Sequence, residues 1–214
     1  MMKKVMLALA CAVAMGTAQA DVLLVENFDN VNALRDGDQW IFENASEPPG
    51  IAPGWVQGNP DVFEAHMGEP DAYIASSFQS AAPNGQLDDR LFTPLFSLEN
   101  GAVATFWLRG ANDFGFFDMV VYGYTDGGAD PLDFILQEVT TAPDGWTQYS
   151  ITIGARAGDG RLGFVHTGPE ATSNYVGLDT LRIVDGREGD VPEPATLLIM
   201  GIGLAGLAAS RRRR

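Results

Sequence analysis

From Asp21 to Asp190 no stretch of the chain carries a helical repeat of apolar residues, while short strand-type runs recur throughout, divided by clusters of Gly, Pro, Asn and Asp. In Thr147–Ile153, Tyr149, Ile151 and Ile153 alternate with Gln148, Ser150 and Thr152, which gives one apolar and one wet face. Further strands are predicted over 22–28, 62–65, 73–77, 87–92, 102–108, 116–125, 133–139, 161–167 and 175–184, with turns at Asp126-Gly127-Gly128, Pro143-Asp144-Gly145 and Asp159-Gly160. The segment 43–61, with four prolines and three glycines, reads as one long irregular loop that must find a packing site for Trp55. No internal repeat is visible. The pattern predicts an all-β, antiparallel, jelly-roll-like β-sandwich over residues 21–190. An apolar content of 46% against 19% charged residues supplies enough core for one domain in a 214-residue chain.

Charge narrows the partners. Within 21–190 there is no lysine, and seven arginines face 27 acids, a net −20. Such a surface repels phosphate backbones and excludes nucleic acid as a partner. The single cysteine, Cys11, lies in the first twenty residues, so a chain that has lost them has no disulfide or thiolate chemistry.

The two ends read as addresses. Lys3 and Lys4, the apolar stretch 5–16 and the small residues Ala18 and Ala20 form a secretory signal peptide over 1–20, cut by signal peptidase after Ala20. A lipidated Cys11 is the competing reading, but Leu9 stands one place from where a lipobox requires it. Residues 191–214 contain Pro192-Glu193-Pro194, then the apolar run 196–210, then Arg211, Arg212, Arg213 and Arg214. Fifteen helical residues span about 22 Å against a hydrocarbon core of about 30 Å, so this segment predicts a short, strained transmembrane helix. The arginines hold its end in the cytoplasm and leave the body across the inner membrane during a transient insertion.

These three parts, in this order, resemble the PEP-CTERM sorting signal of Gram-negative bacteria. The resemblance implies recognition of Pro192-Glu193-Pro194 by exosortase, removal of the tail and transfer of the body to the cell surface. The body in turn resembles the choice-of-anchor J domain, related to cleaved adhesin domains. The matching pieces include Glu26-Asn27-Phe28-Asp29, Gly54-Trp55, Arg90-Leu91-Phe92-Thr93-Pro94, Gly145-Trp146-Thr147 and Tyr175-Val176-Gly177-Leu178-Asp179. This resemblance implies a jelly-roll-like adhesion or carbohydrate-associated module.

Candidate chemistry is sparse. Strand alternation sets Glu26 beside Leu24 and Phe28, and Asp179 beside Leu181 and Ile183, so both acids share faces with core residues. An ionised carboxylate there needs a partner. If the first and last strands are neighbours, Glu26, Asp29 and Asp179 converge as an all-oxygen site suited to Ca2+, the one cofactor the sequence suggests. The alternative is that each acid accepts backbone hydrogen bonds or pairs with arginine. His66 and His166 sit in no metalloprotease motif, and His166 is expected at a strand rim. No nucleophile elbow, phosphate loop or dinucleotide fingerprint occurs, although two well-placed carboxylates among 27 acids would suffice for a glycosidase. Of four tryptophans, Trp107 and Trp146 are expected in the core, leaving Trp40 and Trp55, beside the proline-rich segment, as candidates for a sugar platform.

The chain is therefore expected to be an exported, non-enzymatic surface or extracellular-matrix protein, an adhesion or exopolysaccharide-associated module whose partner is extracellular polysaccharide. A secreted polysaccharide-acting enzyme and a purely structural surface protein without a soluble ligand are the rivals. Protein released at the surface is expected to end near Pro194; an intact mass that still includes Arg214 would overturn the processing.

Overall fold

The computed structural model describes residues 20–37, 39–111 and 115–186, and those from Asp21 onward belong to one unit, Asp21–Arg187. Ala18, Pro192, Glu193, Pro194, Arg211, Arg212, Arg213 and Arg214 lie outside the described residues. Strands β1 (Val22–Glu26), β2 (Ile41–Asn44), β3 (Glu47–Pro49), β4 (Val56–Gln57), β5 (Ile74–Ser77), β6 (Ala81–Phe92), β7 (Phe96–Ser97) and β8 (Ala102–Gly110) are followed by β9 (Met119–Thr125), β10 (Leu136–Thr141), β11 (Thr147–Ile153), β12 (Asp159–Pro169) and β13 (Tyr175–Asp185). One sheet runs β11-β8-β13-β5-β4, with β1 also on β13. The other runs β10-β9-β12-β6-β2, with β3 on β6 and β7 on β12. The strand pairs are antiparallel, as the turn chemistry demanded.

Alternation builds the core. In β8, Ala102, Ala104, Phe106 and Leu108 are buried and point inward, whereas Val103, Thr105, Trp107 and Arg109 face out of the sandwich half-buried. Phe106 meets Tyr122 and Phe164 of the opposite sheet edge-on, each at 4.9 Å between ring centroids. Burying an aromatic ring of this kind contributes about 2–3 kcal/mol, so these contacts dominate the inter-sheet packing.

Strand β13 is central, with β8 along one side and two successive partners along the other. Its first half, Tyr175–Leu178, pairs with β5, and its second half pairs with β1. Between them the register against β8 shifts, from Asp179 opposite Trp107 to Arg182 opposite Thr105. Thr180, inside this bulge, has φ of +50°, a left-handed conformation that a β-branched residue adopts only under constraint.

A polar chain runs through the apolar interior. Ser76 of β5 hydrogen-bonds across to Asp89 of β6 and, at 2.8 Å, to His166 Nδ1 of β12; Asp89 and His166 face each other on neighbouring strands. His166 Nε2 lies 3.1 Å from Asp118 Oδ1, and the Asp118 carboxylate also accepts the amides of Asn174 (2.7 Å) and Tyr175 (3.2 Å). All four side chains belong to fully buried residues. Two sheets are thus joined at one end by directional bonds, where packing alone would permit sliding.

The structure revises several expectations. His166 is not a rim residue but a buried link. Segment 43–61 is not one irregular loop, because β3 and β4 form within it and add short edges to the two sheets. Residues 62–65 form no strand, since Phe63 turns down into an aromatic cluster. Helix α1 (Val31–Asp36) was invisible to a periodicity search because six residues are under two turns; Asn30 caps it by accepting the Ala33 amide at 3.1 Å. Replacing His166 by Ala leaves Asp118 buried without its ring partner, and is expected to cost about 3 kcal/mol of stability in urea unfolding. A loss under about 1 kcal/mol, the scale of an ordinary hydrogen bond, would refute the bridging role.

Candidate functional site

The outer face of the six-stranded sheet gathers the chemistry. Gly177 of β13 lies opposite Arg109 of β8, and a Cβ on it would come within 3.0 Å of Phe63, Trp146 and Tyr73. Its missing side chain is the slot that admits Phe63, which stacks on Tyr73 at 5.1 Å and carries the Arg109 guanidinium 4.5 Å above its ring. The segment between β4 and β5 is thereby pressed onto the sheet. Its backbone is pinned by Tyr73 Oη donating to Asn59 O (2.7 Å), by the Asn59 amide donating to Tyr175 Oη (2.9 Å) and by Trp146 Nε1 donating to Glu64 O (2.9 Å).

His66, carried on that segment, stacks on Trp107 with 3.8 Å between centroids and 19° between planes. Its Nδ1 is hydrogen-bonded to Thr180 Oγ1 at 2.9 Å. Asp179, fully buried at the bulge, accepts the amides of His66 (2.8 Å), Met67 (3.1 Å) and Thr180. The carboxylate therefore fixes both the loop that presents His66 and the strained residue that orients its ring. The pair Trp107 and His66, with Trp146 edge-on to His66 at 6.3 Å, forms a half-buried aromatic wall, and Met67, next in the chain, is exposed. Gln148 lies opposite Trp107, and the next row across the sheet runs Ser150, Thr105, Arg182 and Val25. Rows of one face are about 7 Å apart, so an open polar shelf borders the wall.

Other predicted site residues fall elsewhere. Trp40 and Trp55 are core residues, 8% and 1% exposed: Trp40 packs edge-on against Phe28 at 5.7 Å, and Trp55 Nε1 donates to Asp89 O at 2.9 Å. Neither offers a ring face to a sugar, so the expected assignment of the tryptophans is reversed. Parity along β8 held the signal, since the even positions Ala102 to Leu108 are the small and apolar ones that suit an interior.

The first and last strands are neighbours as the calcium argument required, yet the acids are used differently. Glu26 Oε1 accepts the Phe28 amide at 2.7 Å, Asp179 accepts three amides and Asp29 is exposed beside Gly68. Among the described residues no three His, Cys, Asp or Glu side chains form a group able to hold a metal ion. The expected convergence of Glu26, Asp29 and Asp179 is not assembled; backbone amides take its place.

Ser76, His166 and Asp118 follow the order of a nucleophilic triad, but each is fully buried and the Ser76 hydroxyl is shared with Asp89. A substrate carbonyl has no approach to that oxygen, so the arrangement holds sheets together and performs no acyl transfer.

The fold has solved counterparts. The K1 cleaved adhesin domain of Lys-gingipain from Porphyromonas gingivalis superposes with TM-score 0.55 at 24% identity, covering 75% of this chain and 96% of that one. The K3 domain of the same protein gives 0.55 at 22%, covering 78% and 99%. The K2 domain gives 0.51 at 18%, covering 75% and 98%. Residues 190–214 match the PEP-CTERM protein-sorting motif. The chain thus carries a PEP-CTERM protein-sorting motif at residues 190–214, and its body has the β-sandwich fold of the cleaved adhesin domains. The motif implies export and processing by exosortase. No curated protein matches the chain. Among the described residues no helix is long and apolar enough to cross a membrane.

Burial, the largest cause in each case, raises the pKa of Glu26, Asp89 and Asp179; the Asp29 charge adds to it for Glu26. A carboxylate whose folded pKa lies above its unfolded value contributes stability below the unfolded value and loses it as pH rises through the folded one. The melting temperature is therefore expected to rise as pH falls from 7 toward about 5, the upper edge of the ordinary carboxylate range. Asp179→Asn should flatten this rise; a profile that the substitution leaves unchanged would contradict it. Melting curves with calcium and with a chelator are expected to superimpose, and a chelator-sensitive curve would show that carbonyl oxygens complete a cation site around these acids.

Proposed function

We propose that the exported body is a non-catalytic binding module that holds extracellular polysaccharide on the outer face of its six-stranded sheet. The observation that carries this reading is the stacked pair Trp107 and His66, half-buried on an open sheet face and locked by Asp179 and Thr180. A rigid aromatic face covers the C–H side of a pyranose, while Gln148, Thr105 and Ser150 beside it offer hydrogen bonds to hydroxyls. Preorganisation matters energetically, because a ring held by packing loses little freedom when a sugar binds. The sorting motif supports placement where such polymers are found, and the names of the gingipain domains support an adhesive use of the same fold.

The polysaccharide-acting enzyme finds less support, since among the described residues the carboxylates of Glu26, Asp118 and Asp179 are engaged by backbone amides. A purely structural role leaves the exposed wall without a purpose. Binding of the purified exported protein to exopolysaccharide of its own host, read by affinity electrophoresis, is expected to weaken at least tenfold in Trp107→Ala, or about 1.4 kcal/mol. New reducing ends in the polymer would promote the enzyme, and absence of binding by the unaltered protein would end the proposal.

A further inference from the structure

Resting on that reading, we infer that the sugar residue beside Trp107 carries a carboxylate, taken by the guanidinium of Arg182. Arg90 is tied to Asp88 and Glu43, and Arg156 to Asp126. Arg161 donates to the carbonyls of Gln39, Thr93 and Gly127, Arg35 donates to Trp55 O and lies over Phe42, and Arg109 lies over Phe63. The Arg182 side chain is exposed and, among the described residues, makes no ion pair, hydrogen bond or ring contact. The other described arginines are engaged by an acid, a carbonyl or a ring, so a guanidinium with none of these is what sets Arg182 apart.

Among the described residues, the ladder partners of Arg182 are not acids. Across the ladders Arg182 faces Thr105 on one side and Val25 on the other, with Ser150 beyond Thr105. The two acids of the strand, each three positions away, are buried: Asp179 accepts the amides of His66, Met67 and Thr180, and Asp185 accepts from Asn100 Nδ2 at 2.9 Å. The guanidinium is thus a free cationic fork, a geometry that matches carboxylate in two parallel hydrogen bonds. It stands one row, about 7 Å, from Trp107. A uronic acid unit has the matching shape, with a C–H face for the ring and a carboxylate projecting from one edge. The net charge of the body opposes the approach of a polyanion, but at physiological salt charges beyond about 8 Å are largely screened, so the repulsion weakens a contact pair without abolishing it.

The test compares two forms of one polymer. Polygalacturonate and its carboxyl-reduced, neutral derivative are titrated against the purified exported protein by affinity electrophoresis. The acid form is expected to bind at least tenfold more tightly, and Arg182→Gln to bring it down to the level of the neutral form. Arg182→Lys should retain part of the difference, since the charge remains without the fork. Equal binding of the two polymers, or a preference that survives Arg182→Gln, overturns the inference. Trp107→Ala separates the two levels: if it abolishes binding of both forms while they bind equally to the unaltered protein, the sugar-binding reading stands and only the carboxylate assignment fails. If neither polymer binds and sedimentation shows a dimer dispersed by Arg182→Gln, the face is occupied by a second copy and both readings fall.

Discussion

A single hydroxyl hydrogen sets the terms on which the two sheets meet. Ser76 stands between Asp89 and His166, yet it has one proton to donate. If it points to Asp89, His166 must donate from Nδ1 as well as from Nε2 to Asp118; if it points to His166, Asp89 must itself be protonated. Either arrangement leaves the chain Asp89–Ser76–His166–Asp118 with one proton more than two free carboxylates and a neutral imidazole would carry. Burial of Asp89, which favours its protonated form, agrees with the second arrangement. Every group then has a partner, which is the condition for a polar seam to strengthen an interior rather than weaken it. With the seam in place, β5, β6, β12 and the start of β13 are fixed in register, and the bulge that shapes the outer face follows downstream on the same strand.

The acidic composition explains how that face is built. With few cations available, the chain satisfies its buried carboxylates with backbone amides: Asp118 takes Asn174 and Tyr175, and Asp179 takes His66, Met67 and Thr180. Each acid thereby clamps a loop to a strand, an arrangement that an arginine partner would not produce, because a long side chain fixes charge but not backbone. Glycine complements this. The open space at Gly177 lets Phe63 sit against the sheet, so the segment carrying His66 is held by an absent side chain beneath and a carboxylate alongside.

The sandwich and its longer strands were legible because a half-buried strand writes its two faces as alternation; Thr147–Ile153 occurs as expected, and β12 and β13 enclose the expected segments 161–167 and 175–184. The short edges β3, β4 and β7 were not, since two or three residues form strands only when a neighbouring ladder recruits them. Reading Trp107 as core followed from its apolar surroundings, although its position in β8 shares parity with Thr105 and Arg109 and places it outside. His166 could not be read as an inter-sheet link, because its partners at positions 76 and 118 come from remote parts of the chain. For Glu26 and Asp179 the need for compensation was visible in register, but the compensating groups are amides, which every sequence contains and none advertises.

Strand β13 ends at Asp185, hydrogen-bonded to β8 on one side and β1 on the other. The chain therefore leaves the sandwich from an interior strand and not from a sheet margin. A pull applied to the body through the end of this strand enters along β13. It is resisted by the ladders on both flanks in shear, many bonds loaded at once, where an edge strand would unzip one bond at a time. The topology thus makes the body resistant to extension along β13.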